Sequence, residues 1–223
     1  MWLTSPGAAD PSPGRLLYRG AEADVVLGDW QGLPAVFKVR KPLAYRLAVL
    51  DEEIRRQRTL REGEMIRYAK RAGVAAPFLY HLDLRAATLV MEYVEGERLR
   101  DLAGSMEERE AEEQFFKFGE GVARLHAAGM MHGDLTTANV VARRGSLVFL
   151  DFGLAYRTRR LEDHAVDLRL IKETLVGAHP GISEAALGAF FRGYEARAGS
   201  ANFRRVHSQL RSIERRGRYA RVA

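Results

Sequence analysis

The segment His132-Gly133-Asp134-Leu135-Thr136-Thr137-Ala138-Asn139, followed by Asp151-Phe152-Gly153, constrains this chain more than any other feature. The Asp-x-x-x-x-Asn step sets a carboxylate and an amide on one loop, and the Asp of Asp-Phe-Gly adds a second carboxylate suited to a divalent cation. Asp and Asn in loops are ordinarily turn residues, so either piece alone says little. In this order, and separated by one short hairpin, they read as the catalytic and metal loops of a kinase-fold ATP site. Asp134 is then the base or nucleophile-orienting carboxylate, with Asn139 and Asp151 as magnesium ligands. His132 reads as a packing residue that shapes the loop.

The pattern around these loops fits that frame. Residues 1–14, rich in Pro, Gly and Ala, are expected to be disordered. Short strands are predicted at 16–18, 24–27 and 35–39, with turn chemistry at Gly28-Asp29 and over 32–34. A long helix is predicted over 47–72, stopped by Gly73, and strands at 78–82 and 88–93 complete a five-stranded sheet. Beyond Gly96 the pattern turns helical, at 108–128, 163–176, 183–197 and 202–216, interrupted only by a hairpin of 140–141 with 147–150. The expectation is an α+β, bilobal protein-kinase-like fold: a β-rich N-lobe over 15–94 with one long helix, a mostly helical C-lobe over 95–214, and a basic tail over 215–223.

Within that frame Lys38, on the strand Val36-Phe37-Lys38-Val39, matches the strand lysine that holds the α- and β-phosphates of ATP. A helix carboxylate should pair with it. Glu62 and Glu64 both qualify, but at 100° per residue they do not face the same way. The apolar stripe Ile54, Met65, Ala69 lies closer in angle to Glu62, which is therefore chosen, leaving Glu64 solvated. Met91, Glu92 and Val94 mark the hinge, whose backbone groups are placed to read an adenine edge. Mg-ATP is expected in the cleft between lobes.

Composition narrows the setting. With 47% hydrophobic residues in 223, the chain can bury a real core. No apolar run reaches the length of a membrane span, and no cysteine is present for disulfide or thiolate chemistry. A cytoplasmic protein is expected. The net charge of +6 is concentrated in the last twenty residues, where seven arginines face the single acid Glu214. Phe203, Val206, Leu210 and Ile213 recur at helical spacing and should bury one face of the last helix. Arg215, Arg216, Arg218 and Arg221 then extend past Gly217 as a flexible cationic strand suited to nucleic-acid phosphates.

The catalytic loop, Gly20-Ala21-Glu22-Ala23, Arg58-Thr59 through Glu62, Arg71-Ala72-Gly73-Val74 and Arg215-Arg216-Gly217-Arg218 together resemble the small atypical kinase subunit of the KEOPS complex, the p53-related kinase family. The resemblance covers nearly the whole chain from Leu16 onward. It implies a RIO-like kinase fold, ATP with magnesium, and association with the subunit that transfers threonylcarbamoyl to tRNA adenosine. It also implies a small accessory subunit on the N-lobe.

Departures from regulated protein kinases carry physical consequences. Only Gly20 and Gly28 remain of a glycine-rich phosphate loop, and Glu22 puts a negative charge where polyphosphate would approach, making it a candidate for ordering the lobe or contacting metal. Gly133 stands where an arginine would sense a loop phosphate. Nine residues separate Gly153 from the helix expected at Asp163, without an Ala-Pro-Glu platform for peptide substrates. Asp167 is predicted to anchor the catalytic loop through backbone hydrogen bonds. These features favour an ATPase or Ser/Thr kinase subunit acting in tRNA modification. The alternatives are an autonomous Ser/Thr kinase and a tRNA-binding scaffold with a weak nucleotide site.

Overall fold

The computed structural model describes residues 14–219, with side chains described through residue 216. The chain forms two compact units, one from residues up to Arg67 plus Pro77–Tyr93, the other from Tyr68–Ala76 plus Val94 onward. The expected disorder of residues 1–14 lies, but for Gly14, outside the described residues.

The first unit is a five-stranded antiparallel sheet in the order β1-β2-β3-β5-β4, built from β1 (Arg15–Arg19), β2 (Ala23–Trp30), β3 (Leu33–Arg40), β4 (Leu79–Asp83) and β5 (Thr88–Glu92). Alternation along β3 divides its side chains between two faces. Ala35 and Phe37 pack with Val90, Val26, Trp30, Val39 and Tyr80 into one apolar cluster, while Lys38 and Arg40 point to the other face and are buried there. Gly28 and Asp29 do not form the expected turn. Both lie within β2, opposite Ala35 and Pro34. The reversal falls at Gln31 and Gly32, both with positive φ, the conformation a two-residue hairpin requires. Asp29 contributes only its carboxylate, which accepts the Gly32 N–H at 2.8 Å.

Helix α1 (Ala48–Arg71) ends in a Schellman motif. Gly73 adopts φ 77°, and the Val74 N–H reaches back to the Ala69 carbonyl at 3.0 Å.

The second unit is helical: α2 (Leu99–Leu102), α3 (Glu108–Ala127), α4 (Leu161–Ala178), α5 (Ser183–Ala198) and α6 (Ser200–Tyr219). Helices α3 and α5 touch backbone to backbone. A Cβ on Gly119 would meet the Phe190 carbonyl at 1.9 Å, and one on Gly193 would meet the Phe116 carbonyl at 1.9 Å. These two glycines permit the approach that buries Phe115, Phe118, Phe190 and Tyr194.

More strand pairing occurs here than the single expected hairpin. β6 (Glu97–Arg98), β8 (Val140–Arg143) and β9 (Ser146–Phe149) form one sheet, and β7 (Met130–Met131) pairs with β10 (Tyr156–Arg157). Two-residue strands carry no readable periodicity. The last helix also runs past Gly217 to Tyr219, so residues 215–219 of the basic segment are helix and not an extended strand, while 220–223 lie outside the described residues.

Candidate active site

Lys38 and Glu62 meet inside the sheet unit. Lys38 Nζ donates to Glu62 Oε1 at 2.7 Å, with side chains 10% and 1% exposed. Glu64 is exposed, so the helix presents the carboxylate that the angular reading selects. A third member was missed in the sequence. Arg40, two residues along β3 and so on the same face as Lys38, donates from Nη2 to Glu62 Oε2 at 2.6 Å. The signal was the i, i+2 spacing of two cations on a strand whose other face is apolar.

The catalytic loop is held from several directions. Asn139 donates from Nδ2 to the Asp134 carboxylate at 2.8 Å and to the Asp134 carbonyl at 2.9 Å, with Asn139 in the 3-10 turn Thr137–Asn139. With its nitrogen so engaged, the amide turns its oxygen away from Asp134. Asp167 of α4, fully buried, accepts the His132 N–H at 2.7 Å and the Gly133 N–H at 2.9 Å, as the sequence predicts. Burial alone would raise its pKa. Hydrogen bonding to and charge on His126, together with the contacts at His132, outweigh that and hold the carboxyl below its ordinary value. His126 links onward, with Nε2 3.2 Å from Asp167 Oδ2 and Nδ1 2.8 Å from the Tyr194 hydroxyl. This relay from α5 was not read from the sequence, because a lone His and Tyr at apolar helix positions look like core.

Gly133 has φ 81°, and a Cβ there would meet the Leu154 carbonyl at 2.5 Å. The site has no room for the arginine of regulated kinases. His132 is fully buried and packs on Phe152 with ring centroids 4.9 Å apart. Its Nε2 lies 3.0 Å from the Leu150 carbonyl, while the Leu150 N–H donates to the Asn139 carbonyl at 2.8 Å. Leu150 is thus fastened on both sides to the catalytic loop, and the next residue is Asp151, whose φ of 52° is the left-handed conformation uncommon outside glycine.

The remaining predicted residues are distributed as follows. Gly20 and Glu22 form the turn between β1 and β2, where Lys41 Nζ donates to the Gly20 carbonyl at 2.7 Å and Lys41 N to the Glu22 carbonyl at 2.9 Å. The Glu22 carboxylate accepts from Arg46 at 3.3 Å and from Arg58. Met91 and Glu92 end β5, where Glu92 Oε2 accepts the Phe78 N–H at 3.0 Å. Val94 packs with Val141, Val148 and Leu150 in the helical unit. Arg215 and Arg216 are exposed on α6, and Arg216 pairs with Glu162 at 2.9 Å. Arg218 lies in the helical backbone, and Arg221 is outside the described residues. Val206 and Leu210 are buried and Phe203 and Ile213 half-buried, as the helical spacing predicts. Among the described residues, no helix is long and apolar enough to cross a membrane.

Residues 39–178 match the family model of the protein kinase domain, the class that a β-sheet N-lobe with a Lys–Glu pair and a helical C-lobe with an Asp–Asn loop define. The Rio2 kinase-ADP/Mg2+-phosphoaspartate complex from Chaetomium thermophilum shares this fold, with a TM-score of 0.60 at 17% identity over 92% of this chain and 70% of that one. The KEOPS complex subunit Bud32 of Pyrococcus abyssi is 35% identical over 211 residues, covering 92% of this chain and 96% of the relative. A probable bifunctional tRNA threonylcarbamoyladenosine biosynthesis protein of Methanothermobacter thermautotrophicus is 37% identical over 218 residues. That alignment takes in 98% of this chain but 39% of the relative, so the chain spans about two-fifths of the length of this bifunctional relative. The chain belongs to the Bud32 family of KEOPS subunits within the protein-kinase fold, the family that its motifs resemble.

Proposed function

We propose that this chain is an Mg-ATP-dependent phosphotransferase and ATPase, of the non-specific Ser/Thr kinase type, that serves a KEOPS-type complex making threonylcarbamoyladenosine in tRNA. The observation that carries the nucleotide reading is the buried Lys38–Glu62 pair. A scaffold with a vestigial site has no use for a lysine and a glutamate kept out of water at this cost in desolvation. The two carboxylates and one amide of Asp134, Asp151 and Asn139 are a hard-oxygen set, the kind magnesium takes together with phosphate oxygens. They fit the cofactor.

In this reading Asn139 and Asp151 would hold the metal and Lys38 the α- and β-phosphates, with Glu62 fixing the ammonium's direction. Met91, Glu92 and Val94 offer the backbone edge for adenine, and Gly20 with Glu22 belongs to the turn that covers the phosphates. Mg-ATP supplies the transferable phosphoryl group and the charge neutralisation it needs. Asp134 orients the attacking hydroxyl or water and takes its proton, and the Asn139 amide keeps the carboxylate aimed. Residues 154–160, all that lies between Gly153 and α4, are partly fastened as β10. So short a segment supports a role within a complex over that of an autonomous peptide kinase. The partners are the threonylcarbamoyl-transferase subunit, a small accessory subunit on the sheet unit, and tRNA through Arg215, Arg216, Arg218 and Arg221. The compartment is the cytoplasm.

The test compares phosphate release with label transfer from γ-labelled ATP to protein, with and without tRNA and the transferase subunit. Phosphate release that rises when both are added supports the proposal. Label transfer to added peptides at a rate untouched by either component points to an autonomous kinase.

A further inference from the structure

The turn between β1 and β2 carries an anion where a phosphate-covering loop carries none. Glu22 places its carboxylate between two guanidiniums from different parts of the sheet unit, Arg46 from the segment after β3 and Arg58 from α1. Two guanidinium forks converging on one oxyanion is the arrangement with which proteins grip a phosphate group. We infer that Arg46 and Arg58 form a phosphate site whose resident anion is Glu22, and that a phosphate-bearing ligand displaces this carboxylate.

Four observations carry the inference; its nucleotide arm rests on the nucleotide reading above, and its RNA arm does not. First, the charges are uneven. Glu22 is the only acidic partner of Arg58 among the described residues, and Arg46 shares its other acid, Asp51, with Arg55. Two carboxylates, Glu22 and Asp51, therefore serve three guanidiniums, and a phosphate, carrying more charge and more acceptor oxygens than Glu22, matches Arg46 and Arg58 better.

Second, the site is open on its Arg58 side, Arg46 being 17% exposed. Glu22 and Arg58 side chains are 41% and 39% exposed, so a solute can reach them, and an ion pair this wet is readily exchanged. Third, the turn does not depend on Glu22's side chain for its path. Lys41 fixes the backbone through the Gly20 and Glu22 carbonyls and pairs with Asp24 at 3.0 Å. Release of the carboxylate is then a side-chain movement. Fourth, Tyr45 is 79% exposed beside the site, with the Arg46 guanidinium 5.3 Å from its ring centroid. An exposed ring next to a phosphate-gripping pair is how proteins hold a base together with its phosphate.

The chemistry is shared by a nucleotide phosphate and an RNA backbone phosphate, and the experiment separates them. The full-length protein, with 15N-labelled arginine, is titrated first with Mg-ADP and then, at saturating Mg-ADP, with a single-stranded oligouridylate. The Arg46 and Arg58 Nε–Hε resonances are assigned through Arg46→Lys and Arg58→Lys. Saturable movement of the Arg58 resonance with Mg-ADP identifies the phosphate as the nucleotide's, and movement only in the second step identifies it as RNA's.

In whichever step responds, Glu22→Gln should tighten binding about three- to fivefold, by removing one exposed competitor. Arg58→Gln should weaken it by a similar factor, and Tyr45→Ala should weaken the RNA step alone. An Arg58 resonance unmoved in both titrations overturns the inference. So do affinities that Glu22→Gln leaves unchanged.

Discussion

The backbone N–H of Leu150 donates to the carbonyl of Asn139 at 2.8 Å. This bond, with the His132 ring on the Leu150 carbonyl at 3.0 Å, ties the path of the chain into Asp151 to the catalytic loop without using the Asp134 or Asp151 side chain. Side-chain substitutions at Asp134 and Asp151 should therefore report on chemistry without shifting the loops. Asp151→Ala should abolish ATP turnover. Asp134→Ala should retain nucleotide binding while slowing phosphoryl transfer by about 10²–10⁴-fold, the usual contribution of a positioned base. Binding by fluorescent nucleotide and turnover by phosphate release check this. Parental turnover in both variants overturns the assignment.

Glu62 holds two buried cations, so removing it leaves both without that carboxylate. Glu62→Ala should lower stability by about 3–5 kcal/mol. The exposed neighbour Glu64→Ala should stay within about 0.5 kcal/mol of the parent. Chemical denaturation monitored by circular dichroism distinguishes them, and equal effects would mean the helix does not present Glu62 inward.

Gly133 combines a positive φ with a Cβ clash on Leu154. Gly133→Ala should cost on the order of 1–3 kcal/mol from backbone strain and should reduce turnover by moving Asp134. A variant as stable and active as the parent would contradict the packing described at this loop.

Acid sensitivity follows from His164. Burial, and then the stacked His126 ring 4.2 Å away, lower its pKa from 6.5 to about 4 in the folded chain. The unfolded chain binds this proton below 6.5 and the folded chain does not until about 4, so stability contributed by the neutral ring is complete above 6.5 and is lost as pH falls through that window. By pH 5 the loss should be on the order of 2 kcal/mol. His179 and His207, also lowered by burial, add in the same direction. Thermal melts at pH 7 and pH 5 should show the decline, and His164→Gln should flatten it. A melting temperature insensitive to pH in the parent would rule it out.

Deleting residues 215–223 removes four arginines. The loss should weaken tRNA binding and make log K against log salt shallower by about 3, while basal ATP binding stays intact. Filter binding at several salt concentrations measures the slope. Identical slopes would assign the arginines to helix solvation, for which the Arg216–Glu162 pair already offers a local partner.

The sheet unit was largely legible because strand alternation and the Lys38 pattern are local signals. The choice of Glu62 over Glu64 needed only helix geometry. For Arg40 the sequence offers only the i, i+2 spacing from Lys38, which places both cations on one face but does not say that they share a carboxylate contributed from α1. The helical unit's main helices were readable from their apolar periodicity and glycine stops. The pairing of Tyr156–Arg157 with Met130–Met131 was not, since two-residue strands are defined by their partners alone. Gly217 reads as a helix stop, yet α6 continues through it to Tyr219, since Gly within a helix costs only about 1 kcal/mol.

Arg40 also changes what the sheet unit can do as a switch. Kinases regulated through their long N-lobe helix turn off when the lysine and the helix glutamate separate. Here the same glutamate is tied by both of its oxygens to one rigid strand. Swinging the helix outward would expose three charged groups at once and tear two hydrogen bonds from a single rotamer. Moving α1 away from the sheet therefore carries a charge-exposure cost that a Lys–Glu pair without the arginine does not.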